Sequence, residues 1–236
     1  MAERMLCTIC ARGGSKGVPN KNARLVAGKP LLAHTVEQAI ESGLFDAIAF
    51  SSDSETYLDL AARAGATVLI HRPAELATDV AGKLPVIRHC VSEAEVQLGF
   101  RADVVIDLDC TSPLRLPSDI RACAALLRTS GAGNVVTAAP ARRSPYFNLL
   151  ERMPDGRIDL AKRPEVPILR RQDAPACFDM NASIYAWARN ALFERDGLFH
   201  PDTQLYVMPE ERSIDIDSEL DFEIVSLLLE RRAAAS

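Results

Sequence analysis

Between Glu3 and Glu37 this chain has no acidic residue at all. The same stretch carries Arg4, Arg12, Lys16, Lys21, Arg24 and Lys29. In a chain of 236 residues with formal net charge -5, such a one-sided stretch predicts a local positive field and an anionic ligand. The other shortages exclude whole classes. Aromatic residues are only 6% of the chain, so no base-stacking platform is expected, and the net negative charge argues against a nucleic-acid partner. No apolar run approaches ~18 residues, so no membrane span is expected. The opening residues lead into an apolar run that Arg12 soon interrupts, so no signal peptide and a cytoplasmic location are expected. Four histidines, His34, His71, His89 and His200, show no ligand spacing and read as structural or surface residues.

Six cysteines are present, but nothing pairs them convincingly. Cys7 and Cys10 lie three apart in an apolar run. If that run is a strand they point to opposite faces, which suits neither a chelate nor a redox pair. With Cys90, Cys110, Cys123 and Cys177 isolated, buried free thiols in a reducing compartment are expected. The remaining composition, 48% hydrophobic and 25% charged with 12 Gly and 14 Pro, excludes a disordered chain, a collagen and a disulfide-stapled mini-protein.

Short apolar runs alternate with amphipathic ones. Residues 5–11, 47–50, 66–70, 104–108 and 134–138 read as strands, and 30–41, 57–64, 83–98 and 117–127 as helices. Pro85 falls in a first helical turn, where its missing N–H costs nothing. This alternation predicts an α/β fold, a mostly parallel sheet with helices on both faces. From Arg142 to Arg171 the pattern breaks, with eight basic residues and four prolines, and Pro154-Asp155-Gly156 suits the turn of a hairpin in an inserted arm. The rhythm resumes with strands at 182–187, 205–208 and 213–216 and a closing helix at 218–231, where Ser218 and Asp221 have capping-box spacing.

Ala11-Arg12-Gly13-Gly14-Ser15-Lys16-Gly17-Val18-Pro19-Asn20-Lys21-Asn22 follows the first strand directly. Glycines let backbone amides approach an anion, Arg12, Lys16 and Lys21 neutralise it, and the loop past a parallel strand's C-terminal end is where open sheets bind ligands. It is neither a P-loop nor a dinucleotide fingerprint, because Lys16 precedes Gly17 and Pro19 follows. A polyphosphate clamp is the expected role, with a plain surface turn as the other reading.

Carboxylates form the second signal. Asp215 and Asp217 alternate with Ile214 and Ile216 and so share one face of the expected strand. Their mutual repulsion favours a divalent cation, Mg²⁺ with triphosphate oxygens being the candidate. Asp217 has a second reading as a helix cap. Asp107 and Asp109 flank Leu108; Asp109 is the better site candidate, Asp107 a structural one. Thr111 and Ser112 offer hydroxyls to a nucleotide or sugar, or cap the next helix. Ser51-Ser52-Asp53-Ser54 is a helix cap or a pocket wall. Arg72 is placed to reach a phosphate or base. Arg170, Arg171, Gln172 and Asn181 suit an acidic, hydroxyl-rich substrate, or make a solvated turn or dimer contact.

With these motifs in view, residues 6–228 resemble the acylneuraminate cytidylyltransferases. The N-terminal loop carries most of the resemblance, backed by Arg72-Pro73-Ala74-Glu75-Leu76-Ala77-Thr78-Asp79, Thr111-Ser112-Pro113-Leu114-Arg115, Asn181-Ala182-Ser183-Ile184-Tyr185 and Ile214-Asp215-Ile216-Asp217-Ser218-Glu219-Leu220-Asp221-Phe222. The resemblance implies a Rossmann-like nucleotidyltransferase core (1–140 and 177–236) and a dimerisation arm (141–176) in a homodimer. It implies CTP and Mg²⁺ acting on a nine-carbon 2-keto acid sugar. Arg12, Gly13, Gly14, Ser15, Lys16, Asn22 and Arg72 would serve CTP, and Arg12, Lys21, Asp215 and Asp217 catalysis. Asp215, Asp217 and Asp109 would hold metal. Asp109, Thr111, Ser112, Gln172, Asn181 and the neighbour's Arg171 would contact sugar. Two departures stand out. Asp109 replaces the Gln of the sialic acid enzymes' Leu-Gln-Pro-Thr-Ser-Pro run, as in Kdo-activating relatives. Asp179-Met180-Asn181-Ala182 replaces Arg-Pro-Asn-Gly and, with Arg170 to Pro175, looks like the legionaminic acid branch. Kdo, a UTP- or GTP-using sugar transferase and a non-catalytic nucleotide binder are the alternatives.

Overall fold

The computed structural model describes residues 3–14, 17–166, 168 and 170–234. The strands are β1 (Met5–Cys10), β2 (Leu25–Val26), β3 (Lys29–Pro30), β4 (Ala47–Ser52), β5 (Val68–His71), β6 (Val104–Leu108), β7 (Asn134–Pro140), β8 (Leu150–Arg152), β9 (Ile158–Leu160), β10 (Phe178–Ala188) and β11 (Gln204–Val207). The helices are α1 (Leu31–Ser42), α2 (Glu55–Ala64), α3 (Lys83–Leu98), α4 (Pro117–Ser130), α5 (Arg189–Glu194) and α6 (Glu219–Ala234). Seven strands form one sheet in the order β11-β7-β10-β6-β1-β4-β5. Within it β10 runs against β6 and β7, while the other described pairings are parallel.

The central strands are apolar throughout because helices cover both faces. On one face Cys7, Ile9, Phe50 and Ile106 pack with Leu32 and Val36 of α1, Leu58 of α2 and Ile120 of α4. On the other, Leu6, Ala49 and Val105 pack with Ile87 and Val91 of α3 and Leu192 of α5. Cys7 and Cys10 do fall on opposite faces. All six cysteines are free, but Cys10 and Cys177 are only half-buried, against the expectation of burial throughout. A third cluster of Val18, Val26, Leu31, Leu114, Ile216, Phe222 and Val225 seats α6. Among the described residues no helix is long and apolar enough to cross a membrane.

Four features differ from the expectation or escaped it. Residues 213–217 are not a strand. Their backbone bonds to a turn and a lysine instead of a sheet neighbour: the Ile216 N–H donates to the Thr111 carbonyl (3.0 Å) and the Ile216 carbonyl accepts from Lys21. Helix α5 has six residues, too few for a helical period to stand out. The two-residue strands β2 and β3 were equally invisible. Strand β10 is longer than expected and contains a bulge between Met180 and Tyr185, with Ala182 in the left-handed region at φ 51°. Within 141–176, β8 and β9 form the hairpin expected around Pro154-Asp155-Gly156, a separate two-stranded sheet.

Candidate active site

The loops after β1, β4, β5 and β6 all leave the same edge of the sheet, because these strands are parallel. After β1, the Gly13 N–H donates to an Asp53 carboxylate oxygen (2.8 Å), and the Arg12 guanidinium pairs with Asp79. Gly14 has φ 70°, which a glycine adopts without strain. A Cβ at Gly17 would lie 2.3 Å from the Asp217 carbonyl oxygen, so only glycine permits this approach of the first loop to the last. Residues 21–23 then form one 3₁₀ turn. It buries Lys21, whose ammonium donates to the Ile216 carbonyl, and Asn22, whose Oδ1 finds no partner among the described residues. Ser15 and Lys16 lie outside the described residues.

Ile216 is fully buried and anchors the acidic loop, leaving Asp215 half-buried and Asp217 exposed on either side. Asp215 Oδ1 is buried with no hydrogen-bond partner among the described residues. Burial pushes the Asp215 carboxyl up to about 6; Asp109 and Asp217 add to the rise, while the Thr111 hydroxyl and Lys21 oppose it. Ser218, not Asp217, caps α6: the Asp221 N–H donates to Ser218 Oγ (3.2 Å) and the Ser218 N–H to Asp221 Oδ2 (2.8 Å). Asp217 is thereby relieved of its alternative role.

Asp109 begins the turn after β6. The fully buried Arg115 donates to its carbonyl and to that of Ser112 (3.0 Å), fixing the turn. Both the N–H and the hydroxyl of Thr111 donate to Asp109 Oδ1 (3.1 and 3.0 Å). Asp109 Oδ2 accepts from the Lys83 ammonium at 2.9 Å, and Lys83 also lies 3.4 Å from Asp107 Oδ2. Burial alone would raise the Asp109 carboxyl, but Lys83 overrides it and brings it down to about 2. Asp107 is buried and accepts from the Thr8 hydroxyl (2.8 Å), the structural role expected of it.

Other expected site residues are placed differently. Arg72 is buried and donates to the Ser51 hydroxyl and carbonyl (3.3 and 2.8 Å). Ser112 is fully buried and donates to the Asn181 carbonyl (3.0 Å). Asn181 accepts from the Thr137 hydroxyl (2.7 Å) and the Ser183 N–H (3.2 Å) and donates to the Ser213 hydroxyl (3.0 Å). The bulge in β10 turns the amide inward. Ser112 and Asn181 thus hold the turn after β6, the bulge and the acidic loop together. Asn181→Ala would leave several buried groups unpaired and should cost about 2–4 kcal/mol, read by urea denaturation. Gln172 lines another cleft with Pro140, Arg143 and Phe178; the Arg171 side chain lies outside the described residues. A cleft of about 410 Å³ between α1 and α6, lined by His34, Gln38, Arg115 and Arg232, contains none of the expected site residues.

Sequence reasoning passed over Lys83 and left Asp53 as one of two readings. A lysine as the first residue of α3 was the available signal, because a helix N-terminus disfavours a cation unless something nearby compensates it.

The donors present fit a magnesium ion. Asp215 Oδ1 is an orphaned buried acceptor, and Asp217 is exposed beside it. Among the described residues no group of three or more His, Cys, Asp and Glu forms a ready metal cage. Mg²⁺ commonly takes only one or two carboxylates and completes its shell with water and phosphate oxygens.

A family model described as cytidylyltransferase matches residues 6–224. The chain is 44% identical over 229 residues to the CMP-N,N'-diacetyllegionaminic acid synthase of Campylobacter jejuni, covering 97% of this chain and 96% of that one. It is 42% identical over 228 residues, with the same coverage, to post-translational flagellin modification protein B of Campylobacter coli. Among solved structures, a CMP:2-keto-3-deoxy-manno-octonic acid synthetase complexed with CTP superposes with TM-score 0.70 at 15% identity, covering 98% of this chain and all of that one, a likeness of fold. Together the matched length and the identities show that the chain belongs to the cytidylyltransferase family, among the acylneuraminate and legionaminate CMP-sugar synthetases.

Proposed function

We propose that this chain transfers CMP from CTP to a nine-carbon 2-keto acid sugar of the legionaminic or sialic acid type. The observation that carries the reading is the meeting of the cationic first loop with the acidic last one, through Lys21 on the Ile216 carbonyl and Gly17 against Asp217. The sugar's anomeric oxygen at C2 forms a bond to the α-phosphorus, the bond from that phosphorus to the β-phosphate bridge breaks, and pyrophosphate leaves. The Gly13 and Gly14 amides, Arg12 and the Asn22 side chain face the triphosphate. Arg12 exchanges Asp79, and the Gly13 N–H exchanges Asp53, for phosphate oxygens. Lys21, held rigidly by burial, stabilises charge that develops at the α-phosphate, and Arg72 bounds the nucleotide end.

Asp215 and Asp217 would hold the magnesium ion, which when bound supplies charge neutralisation across the phosphates and acidifies the attacking hydroxyl. Thr111 contacts the sugar. Ser112 and Asn181 act by positioning the loops. The 141–176 segment, with Leu149, Leu150, Ile158 and Val166 exposed, is an arm for a second copy of this chain that carries Arg171 and Gln172 toward its site. The test is pyrophosphate release from CTP and Mg²⁺ with legionaminate, neuraminate, pseudaminate, Kdn and the eight-carbon Kdo. Release with legionaminate or neuraminate is expected; release with Kdo alone, or with none, sinks the reading.

A further inference from the structure

Four carboxylates, Asp107, Asp109, Asp215 and Asp217, share this end of the sheet with two ammonium groups, Lys83 and Lys21. The six groups are not equivalent. Lys83 opens α3, where the helix dipole repels it and no acid stands in the first turn. It stays because its ammonium sits 2.9 Å from Asp109 Oδ2 and 3.4 Å from Asp107 Oδ2, over the Tyr185 ring at 4.4 Å. Asp109 Oδ1 is occupied from the other side by Thr111. Both oxygens of Asp109 are thus engaged, whereas Asp215 Oδ1 has no partner among the described residues.

We infer that Lys83 is a positioning residue that neutralises Asp109 and holds it out of the metal shell, so that the divalent ion rests on Asp215 and Asp217. The inference rests on the proposed metal-dependent transfer and deepens it. A site with two free carboxylates grips a bare cation weakly and depends on nucleotide oxygens to complete the shell. Released from Lys83, Asp109 becomes a third ligand and the ion binds without nucleotide.

Mn²⁺ is the probe, its free concentration followed by electron paramagnetic resonance with and without α,β-methylene-CTP. Lys83→Gln should tighten nucleotide-free Mn²⁺ binding about tenfold or more, the usual scale for altering a group that supports a metal site. Adding Asp109→Asn to Lys83→Gln should remove the gain. Asp109→Asn alone should keep Mn²⁺ affinity within about threefold of wild type in the presence of the nucleotide analogue, because no ligand is lost. A tenfold loss in Asp109→Asn, or an unchanged affinity in folded Lys83→Gln, overturns the inference. If Lys83→Gln does not fold, Asp109→Asn decides by itself. Asp215→Asn is the separate control: Mn²⁺ binding that survives it discards the metal assignment made for the transfer reaction, and this inference with it.

Discussion

Lys21→Met is expected to lower turnover about 10²–10³-fold while leaving the fold in place, the scale for removing one preorganised donor from developing charge. Methionine keeps the buried stem among its neighbours. What disappears is the ammonium and its charge-assisted hydrogen bond to the buried Ile216 carbonyl, a loss worth about 1.5–3 kcal/mol of stability. The two effects separate cleanly. Far-ultraviolet circular dichroism should be unchanged and the unfolding midpoint should fall modestly, whereas kcat for pyrophosphate release collapses and the KM for CTP rises less. A variant with near-normal kcat would remove Lys21 from the chemistry and leave it as a strut for the acidic loop.

Asp215→Asn should make the protein more stable and nearly inactive. The carboxyl of Asp215 is raised from 3.8 to about 6, chiefly by burial, and its Oδ1 has no partner among the described residues. An acid whose folded-state pKa lies above its unfolded value opposes folding once it ionises. Between about pH 4 and 6 the folded chain holds a proton that the unfolded chain has released, so this residue's contribution to stability falls as pH rises. The penalty is absent below about pH 4 and complete above about 6. Each pKa unit is worth about 1.4 kcal/mol, and the asparagine amide recovers part of that, so a gain on the order of 2 kcal/mol is expected at pH 7.5 and almost none at pH 4. Urea denaturation at the two pH values measures it. Turnover should drop at least about 10²-fold, because the bare oxygen that costs stability is the one that meets the cation. Equal stabilities at pH 7.5 would mean that Asp215 is paired in solution, and the metal assignment would lose its physical basis.

Much of this architecture could be read from patterns a few residues long. Helix α3 and strand β6 begin and end where apolar periodicity places them, and Ser218 and Asp221 cap α6 as their spacing implies. The gap in acidic residues between Glu3 and Glu37 marked the cationic loop. Alternation misled at 213–217, because Ile214 and Ile216 are apolar for contact with the α6 cluster and not for a place in a sheet. Ser112, Asn181 and Asp109 each have an internal partner that the sequence could not show, because a polar side chain displays its chemistry in sequence but not its partner.

The chain's residue order alone determined the α/β alternation, the phosphate-suited loop and the supply of carboxylates near the other end, since each follows from local propensity, period and charge. Only the tertiary structure decided which polar groups meet. Lys21 and Ile216 are 195 residues apart, and Lys83 and Asp109 sit on different elements. Parallel strands bring their C-terminal loops to one edge, and burial there leaves Asp215 Oδ1 without a partner among the described residues while giving Asp109 a lysine. Those pairings depend on sheet order and depth from solvent, which no short stretch of sequence encodes.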